Sequence, residues 1–565
     1  MKPRSACRDL ILLLLLNLMA GTPTRAQTYT VLANFDASQG VGPISVVQGR
    51  DGNLYGDTYA GGETNCQVYG EDIGCGTSFQ LTPSGQLTLV HKFGCDGCDL
   101  AGDFPETGLI LGTDGNFYGM GTLGGGEGCF SDYCGTIFKL TPTGNATLLY
   151  LFCAQQNCPD GSDPNSLLQA PDGNFYGTTG QGTVFKMTPE GNLSVIHTFC
   201  QLPNCLDGAY PAGLVLGKNG SFYGTTSGGG AYGLGTIFKL TPKGTLKVLH
   251  DFHNFDGNRP IYNMIEAADG SFYGITQQGG SENRGTVFKI TSEGIFTSLY
   301  NFCSQDNCTD GAWPNGTLTQ ATDGNFYGTT QSGGDPNCYQ GCGTIFKITP
   351  KGVETVLHEF DDTTGSPGQG LFQATNGILY GGVGGGDENS CGEFYSCGTM
   401  YSLDVGLGPF VAFVRDSGKV DEVIQILGQG FTGTTGVSLS GISAQFQVVS
   451  DTFLKAKVPA GATTGFVTVT TPSVTLSSNK PFRVLPQVLS FNPPSGPVGT
   501  QVTITGVSLA QTLGVGFGVR VPAQFTVVSD TQVTATVPGG AKTGKIGVET
   551  HGGVAISSGT FTVSP

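Results

Sequence analysis

The chain of 565 residues is poor in charge, because only 12% of its residues are Asp, Glu, Lys or Arg, against about 25% in an ordinary globular protein. Helical bundles and coiled coils need charged faces, so this shortage excludes them. The chain holds a single tryptophan and, after residue 26, no apolar run near the ~18 residues of a membrane helix. The formal net charge of −17 disfavours nucleic acid and anionic membranes as partners, since both attract positive charge.

Glycine is in excess, with 93 Gly beside 29 Pro. The hydrophobic fraction of 38% and the aromatic fraction of 10% are too high for a disordered chain, and no Gly-X-Y period indicates collagen. We therefore expect a folded, turn-rich, all-β protein.

We predict that residues 1–26 are a signal peptide. A basic start leads into the apolar run Leu10 to Leu16, which is followed by Thr24-Arg25-Ala26 before Gln27. The expected location is therefore secreted or cell surface, without a membrane span.

Sixteen cysteines follow this segment, and all of them fall into close neighbours. In an exported chain, an even and local pattern of this kind predicts short-loop disulfides rather than a zinc or redox site. The predicted pairs are Cys66 with Cys75, Cys95 with Cys98, Cys129 with Cys134, Cys153 with Cys158, Cys200 with Cys205, Cys303 with Cys308, Cys338 with Cys342, and Cys391 with Cys397.

An internal repeat decides the expected fold. A Tyr-Gly signature recurs at seven positions that are 47 to 63 residues apart, from Tyr55-Gly56 to Tyr380-Gly381. Each copy carries an Asp-Gly-type turn before the pair, a Gly-Thr-x-aromatic run after it, then a Pro-x-Gly-type turn and a run such as Val248 to Phe252. Four short strands per copy predict a seven-bladed β-propeller over 27–405. The segment Thr30 to Phe35 resembles a fourth strand and is expected to complete the last blade.

The repeated Asp-Gly-Asn-Phe-Tyr-Gly and Gly-Thr-Ile-Phe-Lys-Leu-Thr-Pro units resemble the tandem GloVer repeats of exported bacterial proteins, over about residues 29 to 405. That resemblance implies an extracellular or surface location and no established chemistry.

The remaining chain contains a second repeat, since the segment Phe446 to Thr452 recurs 79 residues later as Phe525 to Thr531. Alternating Val and Thr and the segment Pro494 to Thr500 resemble tandem IPT/TIG domains, which are immunoglobulin-like β-sandwiches. The predicted domains are 409–486 and 487–565, and the family implies spacing or binding rather than catalysis.

The two long connections of every blade lie on one face of the predicted ring, because tight turns join the other strand pairs. Non-repeating aromatic and basic residues in these loops suit a glycan or a partner protein. The candidate binding residues are Trp313, Tyr133, Tyr210, Tyr262, Tyr339, Arg259 and Arg284, with Tyr232 in the same loops. Loop aromatics packed against one another remain an alternative.

We therefore predict a non-enzymatic binding or adhesion protein with the C-terminal modules as spacer or docking unit. No catalytic or metal-binding residue is assigned and no cofactor is expected, while the oligomeric state stays open. The alternative is a propeller hydrolase or lyase acting on carbohydrate through loop carboxylates such as Asp103, Glu106, Glu127, Asp132, Asp387 and Glu388. Converging carboxylates of raised pKa in a deep central pocket would favour the enzyme.

Overall fold

A computed structural model describes the chain over residues 27–62, 67–68, 71–72, 74–94, 103–123, 134–338, 342–361, 365–384, 397–518 and 521–565. Regular structure in these residues is β-strand apart from the single 3-10 turns Pro203–Cys205 and Asp306–Cys308. None of the described residues forms a helix long and apolar enough to cross a membrane. The predicted all-β class is confirmed.

In each repeat, aromatic and β-branched residues dominate the strands, which suits sheets buried on both faces. The described strands of the repeat region form seven sheets with four strand positions each. In chain order, the sheets, here called blades 1 to 7, comprise Val41–Gln48, Leu54–Ala60, Thr77–Leu81 and Leu87–Lys92; Asp103–Pro105, Ile110–Leu111, Phe117–Leu123, Thr136–Leu140 and Ala146–Leu151; Pro164–Gln169, Phe175–Thr179, Thr183–Met187 and Leu193–Thr198; Ala209–Leu216, Phe222–Gly228, Thr236–Leu240 and Leu246–Asp251; Ile265–Glu266, Phe272–Thr276, Thr286–Ile290 and Phe296–Asn301; Ala312–Gln320, Phe326–Ser332, Thr344–Ile348 and Glu354–Glu359; and Ser366–Pro367, Phe372–Gln373, Leu379–Gly384, Thr399–Asp404 and Thr28–Asn34. A separate short hairpin joins Gln67–Val68 to Glu71–Asp72.

Successive blades pack face to face through their second strands. The Tyr223 ring of blade 4 stacks on Phe272 of blade 5, with centroids 4.1 Å apart, and equivalent pairs recur between other neighbours. Blade 7 meets blade 1 in the same way, because Tyr380 shares a buried cluster with Leu54. The blades therefore close into a ring, and the predicted propeller fold is confirmed.

The N-terminal strand closes the ring. Thr28–Asn34 pairs antiparallel with Thr399–Asp404, so the first described strand forms the outer strand of the last blade. This confirms the expected role of the segment and leaves the first and last repeats joined by a strand ladder rather than by free edges.

The glycine of the Tyr-Gly pair is required by packing. A Cβ atom added to Gly224 would lie 2.5 Å from the Phe238 ring of the neighbouring strand, and one added to Gly177 would lie 2.5 Å from Phe185. Each Tyr-Gly pair therefore admits the aromatic side chain of the Gly-Thr-x-aromatic run at close range, which explains why the two motifs occur together.

Hydrogen bonds to carboxylates stabilise the tight turns that join the first and second strands. In blade 3, the Tyr176 hydroxyl donates to Asp172 at 2.8 Å, the Asn174 N–H donates to the same carboxylate at 3.1 Å, and Lys186 pairs with it at 3.1 Å. These bonds lower the pKa of Asp172 against the opposing effect of burial. The repeated Asp and Tyr are thus structural parts of the turn.

The C-terminal region forms two units with one topology. Each unit has two four-stranded sheets and a parallel two-stranded pair, and each encloses its own apolar core. The first contains Ala412–Phe413, Ser417–Gly418, Val423–Leu427, Gly436–Leu439, Ile442–Ser443, Phe446–Ser450, Phe453–Lys457, Val467–Thr470, Thr475–Ser477 and Arg483–Val484; the second contains Gln487–Asn492, Ser495–Gly496, Gln501–Val507, Thr512–Phe517, Val521–Ala523, Phe525–Ser529, Gln532–Thr536, Ile546–Thr550, Gly553–Ile556 and Thr562–Val563.

Both units lie against the tight-turn face of the ring. Arg50 donates to the Thr113 carbonyl at 2.8 Å and to Gln425 of the first unit at 2.6 Å. The Thr452 hydroxyl donates to the Arg50 carbonyl at 2.8 Å. The second unit encloses a cavity of about 210 Å³ with the turns of blades 4 and 5. The described C-terminal residues therefore cover the tight-turn face, and the long connections emerge on the other face.

Candidate functional site

The innermost strands surround a central cavity of about 380 Å³. Every blade contributes to its wall, and most of the contributing residues lie within three positions of the proline that begins the innermost segment. The polar and aromatic wall residues include Ser45, Glu106, Thr107, Asn165, Tyr262, Asn263 and Gln369. The variety of these residues contrasts with the uniform repeat, so the cavity wall is where blades differ most.

The residue before that proline forms a ring at the mouth of the cavity. At five of these positions a non-glycine residue has a left-handed backbone, and blade 1 has Gly42 with φ 65° in the same place. The five mouth residues, with their φ values, are Phe104 at 54°, Asp163 at 58°, Tyr210 at 56°, Arg259 at 54° and Trp313 at 54°. Such a conformation costs about 1–3 kcal/mol per residue and persists only where surroundings impose it.

Hydrogen bonds between blades hold four of the five mouth residues. At Phe104, Asp163, Arg259 and Trp313 the backbone N–H donates to the carbonyl of the residue before Gly-Thr in the preceding blade. The distances are 2.9 Å from Phe104 to Cys75 and 2.8 Å from Trp313 to Arg284. Because Cys75 is disulfide-bonded, its carbonyl is itself held in place. The mouth residues thus present variable side chains from a backbone that hydrogen bonds hold in place.

Blades 5 and 6 make one side of the mouth aromatic and basic. The Arg284 guanidinium stacks on the Trp313 ring, with Cζ 4.2 Å from the centroid. The Arg259 charge acts on the Tyr262 hydroxyl of the cavity wall, where it opposes the rise in pKa that burial causes. Tyr210 of blade 4 is 63% exposed. This side therefore offers aromatic faces and two guanidinium groups.

Blades 2 and 3 make the other side acidic. Glu106 lines the cavity and its side chain is exposed there. The surrounding ring removes part of its hydration, and this desolvation raises the pKa of Glu106 to about 7, with a further rise from the Asp163 charge. Burial raises the pKa of Asp163 as well. The cavity is therefore lined on this side by a carboxyl group, Glu106, whose charged form is disfavoured by burial and by the nearby Asp163 charge.

The wall amides are mostly engaged in structure. Asn165 donates to the Pro211 carbonyl at 2.9 Å and accepts from Thr178 at 2.6 Å. Asn263 accepts from the Leu214 N–H at 3.1 Å. The Thr107 hydroxyl, in contrast, is buried in the wall and has no hydrogen-bond partner among the described residues.

Disulfides fix the loops of the same face. The pairs Cys153–Cys158, Cys200–Cys205, Cys303–Cys308 and Cys338–Cys342 are present. Cys75, Cys134 and Cys397 are also disulfide-bonded, while their predicted partners and the predicted pair Cys95 with Cys98 lie outside the described residues. The carboxylates of Asp207 and Asp310 accept backbone N–H bonds inside two of these loops, so they stabilise turns.

The structure brings together most of the predicted binding residues. Tyr210, Arg259 and Trp313 occupy equivalent mouth positions on three successive blades, and Arg284 and Tyr262 contact or face them. Tyr232 lies apart, on an exposed loop beside His253. Tyr133 and Tyr339 lie outside the described residues, as do Glu127, Asp132, Asp387 and Glu388.

Sequence reasoning missed Phe104 and Asp163, and it gave Glu106 no preference over other loop acids. A pattern in the sequence could have found them, because a proline begins the innermost segment of every blade. These prolines are Pro43, Pro105, Pro164, Pro211, Pro260, Pro314 and Pro367. Aligning the blades on them places the mouth residues in one column.

A second polar cluster lies inside blade 1. Asp57 is fully buried and accepts a bond from the Ser78 hydroxyl at 2.5 Å, while its other oxygen has no partner among the described residues. Burial raises its pKa to about 7, and the His91 charge opposes this rise. Asp57, Ser78 and His91 form one row across three strands. Because Ser78 is buried and bonds to the carboxylate, the row does not present a nucleophile to solvent.

The repeated histidines of the outermost strands pack on aromatic rings. His250 stacks on Phe296 of the next blade at 3.9 Å, and His358 stacks on Tyr29 at 4.0 Å. Among the described residues, no group of three or more His, Cys, Asp or Glu side chains is arranged to hold a metal ion.

Known solved structures resemble the chain at low identity. The extracellular domain of a putative hybrid two-component system from B. thetaiotaomicron is 10% identical, with 94% of this chain and 65% of that chain covered and a TM-score of 0.41. The WD40 β-propeller domain of Doa1 is 11% identical, with 66% and 97% covered and a TM-score of 0.42. A surface glycan-binding protein from Prevotella bryantii is 19% identical over 26% of this chain and 38% of that chain, with a TM-score of 0.21.

A search of the curated proteins finds no match. The sequence profile of the IPT/TIG domain matches residues 486–564, where the structure has the second sandwich unit. The profile of the Gloeobacter/Verrucomicrobia repeat matches residues 21–201 and 178–395, which span most of the ring. The chain therefore belongs to the Gloeobacter/Verrucomicrobia repeat family and carries an IPT/TIG domain at its C-terminal end.

Proposed function

We propose that this is an exported, non-enzymatic binding protein whose long-loop face recognises a glycan or a protein. The observation that carries the proposal is the ring of variable mouth residues held in strained backbone above a polar cavity. Strain of this kind is found where a binding or catalytic surface is held in a fixed arrangement. We assign residues 27–405 to the binding ring, with 1–26 as signal peptide, and 409–486 and 487–565 to spacer or docking modules.

The position of the C-terminal units also supports the long-loop face as the binding face. They cover the tight turns through contacts such as Arg50 with Gln425, so a large ligand can approach the ring from the long loops. Disulfides in those loops reduce their freedom before binding, which lowers the entropic cost of association. The disulfides also suit an oxidising, extracellular location.

Binding is tested with the full chain on a glycan array and against proteins of a cell-surface extract. Trp313→Ala and Tyr210→Ala are expected to weaken binding at least tenfold, since each removes an aromatic contact surface. The matched control is Ile295→Ala, which removes an apolar side chain that is 68% exposed on a tight turn of the opposite face. Equal loss in all three variants, or no ligand in either screen, would refute the proposal.

A second candidate is a carbohydrate hydrolase or lyase, and the raised pKa of Glu106 beside Asp163 favours it. A carboxyl group protonated near neutral pH can act as a general acid. An assay of reducing-sugar release by the full chain, with Glu106→Gln and Asp163→Asn as variants, separates the candidates. Release that either variant abolishes supports the enzyme, whereas binding without release excludes it for the sugars tested.

A further inference from the structure

Arginine is scarce in the ring and its placement is uneven. Residues 27–405 contain three arginines: Arg50, Arg259 and Arg284. Arg50 ties the first C-terminal unit to the tight-turn face. The other two lie at the mouth of the cavity on the opposite face, one as a mouth residue and one stacked on the mouth residue Trp313.

Neither mouth arginine is neutralised within the described structure. Lys139, Lys186 and Lys289 each pair with the turn carboxylate of their own blade. The ion pairs of the described residues, by contrast, include none with Arg259 or Arg284. In a chain with a net charge of −17, acidic side chains are plentiful, yet these two guanidinium groups form no ion pair among the described residues and are available to an external anion.

The surroundings of these arginines are those of a sugar site. Trp313 and Tyr210 offer aromatic surface at the mouth positions on either side of Arg259, which suits the apolar face of a sugar ring. The cavity below has about 380 Å³ and a wall rich in hydroxyl and amide groups, within the usual range of about 300–1,000 Å³ for small-molecule sites. The buried Thr107 hydroxyl without a partner among the described residues can bond a hydroxyl group that enters the cavity.

We propose that the cavity mouth binds an acidic glycan, with the anionic group of one sugar held by Arg259 and Arg284 and its ring against Trp313. The ligand lies across the mouth, with hydroxyl groups toward Thr107 and Glu106 on the other side of the channel. This inference rests on the proposed binding function and adds the chemical class of the ligand. A concave polar cavity favours a saccharide over a flat protein surface.

The test uses ligands that differ in charge alone. Oligogalacturonate and its full methyl ester share one backbone, and a sulfated glycan with its desulfated form supplies a second pair. We expect the full chain to bind at least one anionic form tenfold or more tightly than its neutral partner. The pair that shows the difference identifies the anion as carboxylate or sulfate.

Variants locate the site. Arg259→Gln and Arg284→Gln are each expected to weaken binding of the anionic form fivefold or more and to leave binding of its neutral partner unchanged. Arg259→Lys keeps the charge and should retain most of the affinity, which separates charge from fold. Lys243→Ala removes one charge from an exposed tight turn of the opposite face and should change nothing.

The outcomes separate the two proposals. Equal affinity for charged and neutral forms overturns the acidic class and leaves the binding function standing. Charge-dependent binding that Lys243→Ala reduces as much as Arg259→Gln overturns the assigned site, because it reflects net charge. Absence of binding to every glycan overturns this inference, and the protein arm of the proposed function is then decided by its own screen.

Discussion

The buried carboxyl group of Asp57 should make the stability of the ring depend on pH. Blades 3, 4 and 6 have threonine at this place in the second strand, at Thr178, Thr225 and Thr329, and none of these can ionise. Asp57 is fully buried beside Ser78 and its pKa is about 7, whereas an unfolded Asp has a pKa of about 3.9. The folded state therefore holds a proton that the unfolded state has released.

The sign follows from this difference. The stabilising effect of the neutral carboxyl group is complete below about pH 4 and is lost as pH rises to about 7, the pKa of the folded protein. Between pH 5 and pH 8 the loss amounts to about 2 to 3 kcal/mol, at about 1.36 kcal/mol for each pKa unit. With about 2.1 cal/mol/K per residue over the roughly 380 residues of the ring, this loss corresponds to about 3 °C in the melting temperature.

The assay compares the full chain with its Asp57→Asn variant by scanning calorimetry from pH 5 to pH 8. Other titrating groups, such as Glu106 and Glu354, are common to both proteins and cancel in the difference. The variant should gain about 3 °C relative to the parent over this range. A double variant, Asp57→Thr with Ser78→Ile, copies the pair Thr225 and Ile237 of blade 4 and should show the same difference from the parent. Parallel profiles for parent and Asp57→Asn would refute a protonated Asp57.

Three further changes test the fold and the site. Gly224→Ala should lower the melting temperature of the ring by about 1–4 °C, since the new Cβ would lie 2.5 Å from Phe238 and overpacking costs about 1–3 kcal/mol. An unchanged melting temperature would contradict the packing role of the Tyr-Gly pair. Replacing Cys303 and Cys308 together by serine should cost about 2 kcal/mol by loop-closure entropy and hasten proteolysis within residues 303–308, which mass mapping of the fragments would detect. Arg50→Ala removes the bonds to Thr113 and Gln425, so protease should cut the segment near residues 405–410 faster, while glycan binding at the far face should not change.

Part of the candidate site could be predicted from the sequence, because the seven prolines that begin the innermost segments mark equivalent positions in the blades. Tyr210, Arg259 and Trp313 stood out because they break the repeat, and the structure places all three at the mouth. Glu106 looked like any other loop acid, because its raised pKa depends on the ring around it and on Asp163 from the next blade. Asp57 escaped notice, since only the packing of three strands shows that the carboxylate is fully buried.

The sequence by itself determined the blade. Its Tyr-Gly, Gly-Thr-x-aromatic and turn motifs are local in the chain, and strand, turn and register follow from residues within about 50 positions of one another. The tertiary structure decided which side chains meet. Four different blades supply Arg259, Trp313, Asp163 and Glu106. The contacts that position these residues join neighbouring blades. Closure of the ring brings these distant residues to one cavity, because each blade buries its faces only against its neighbours.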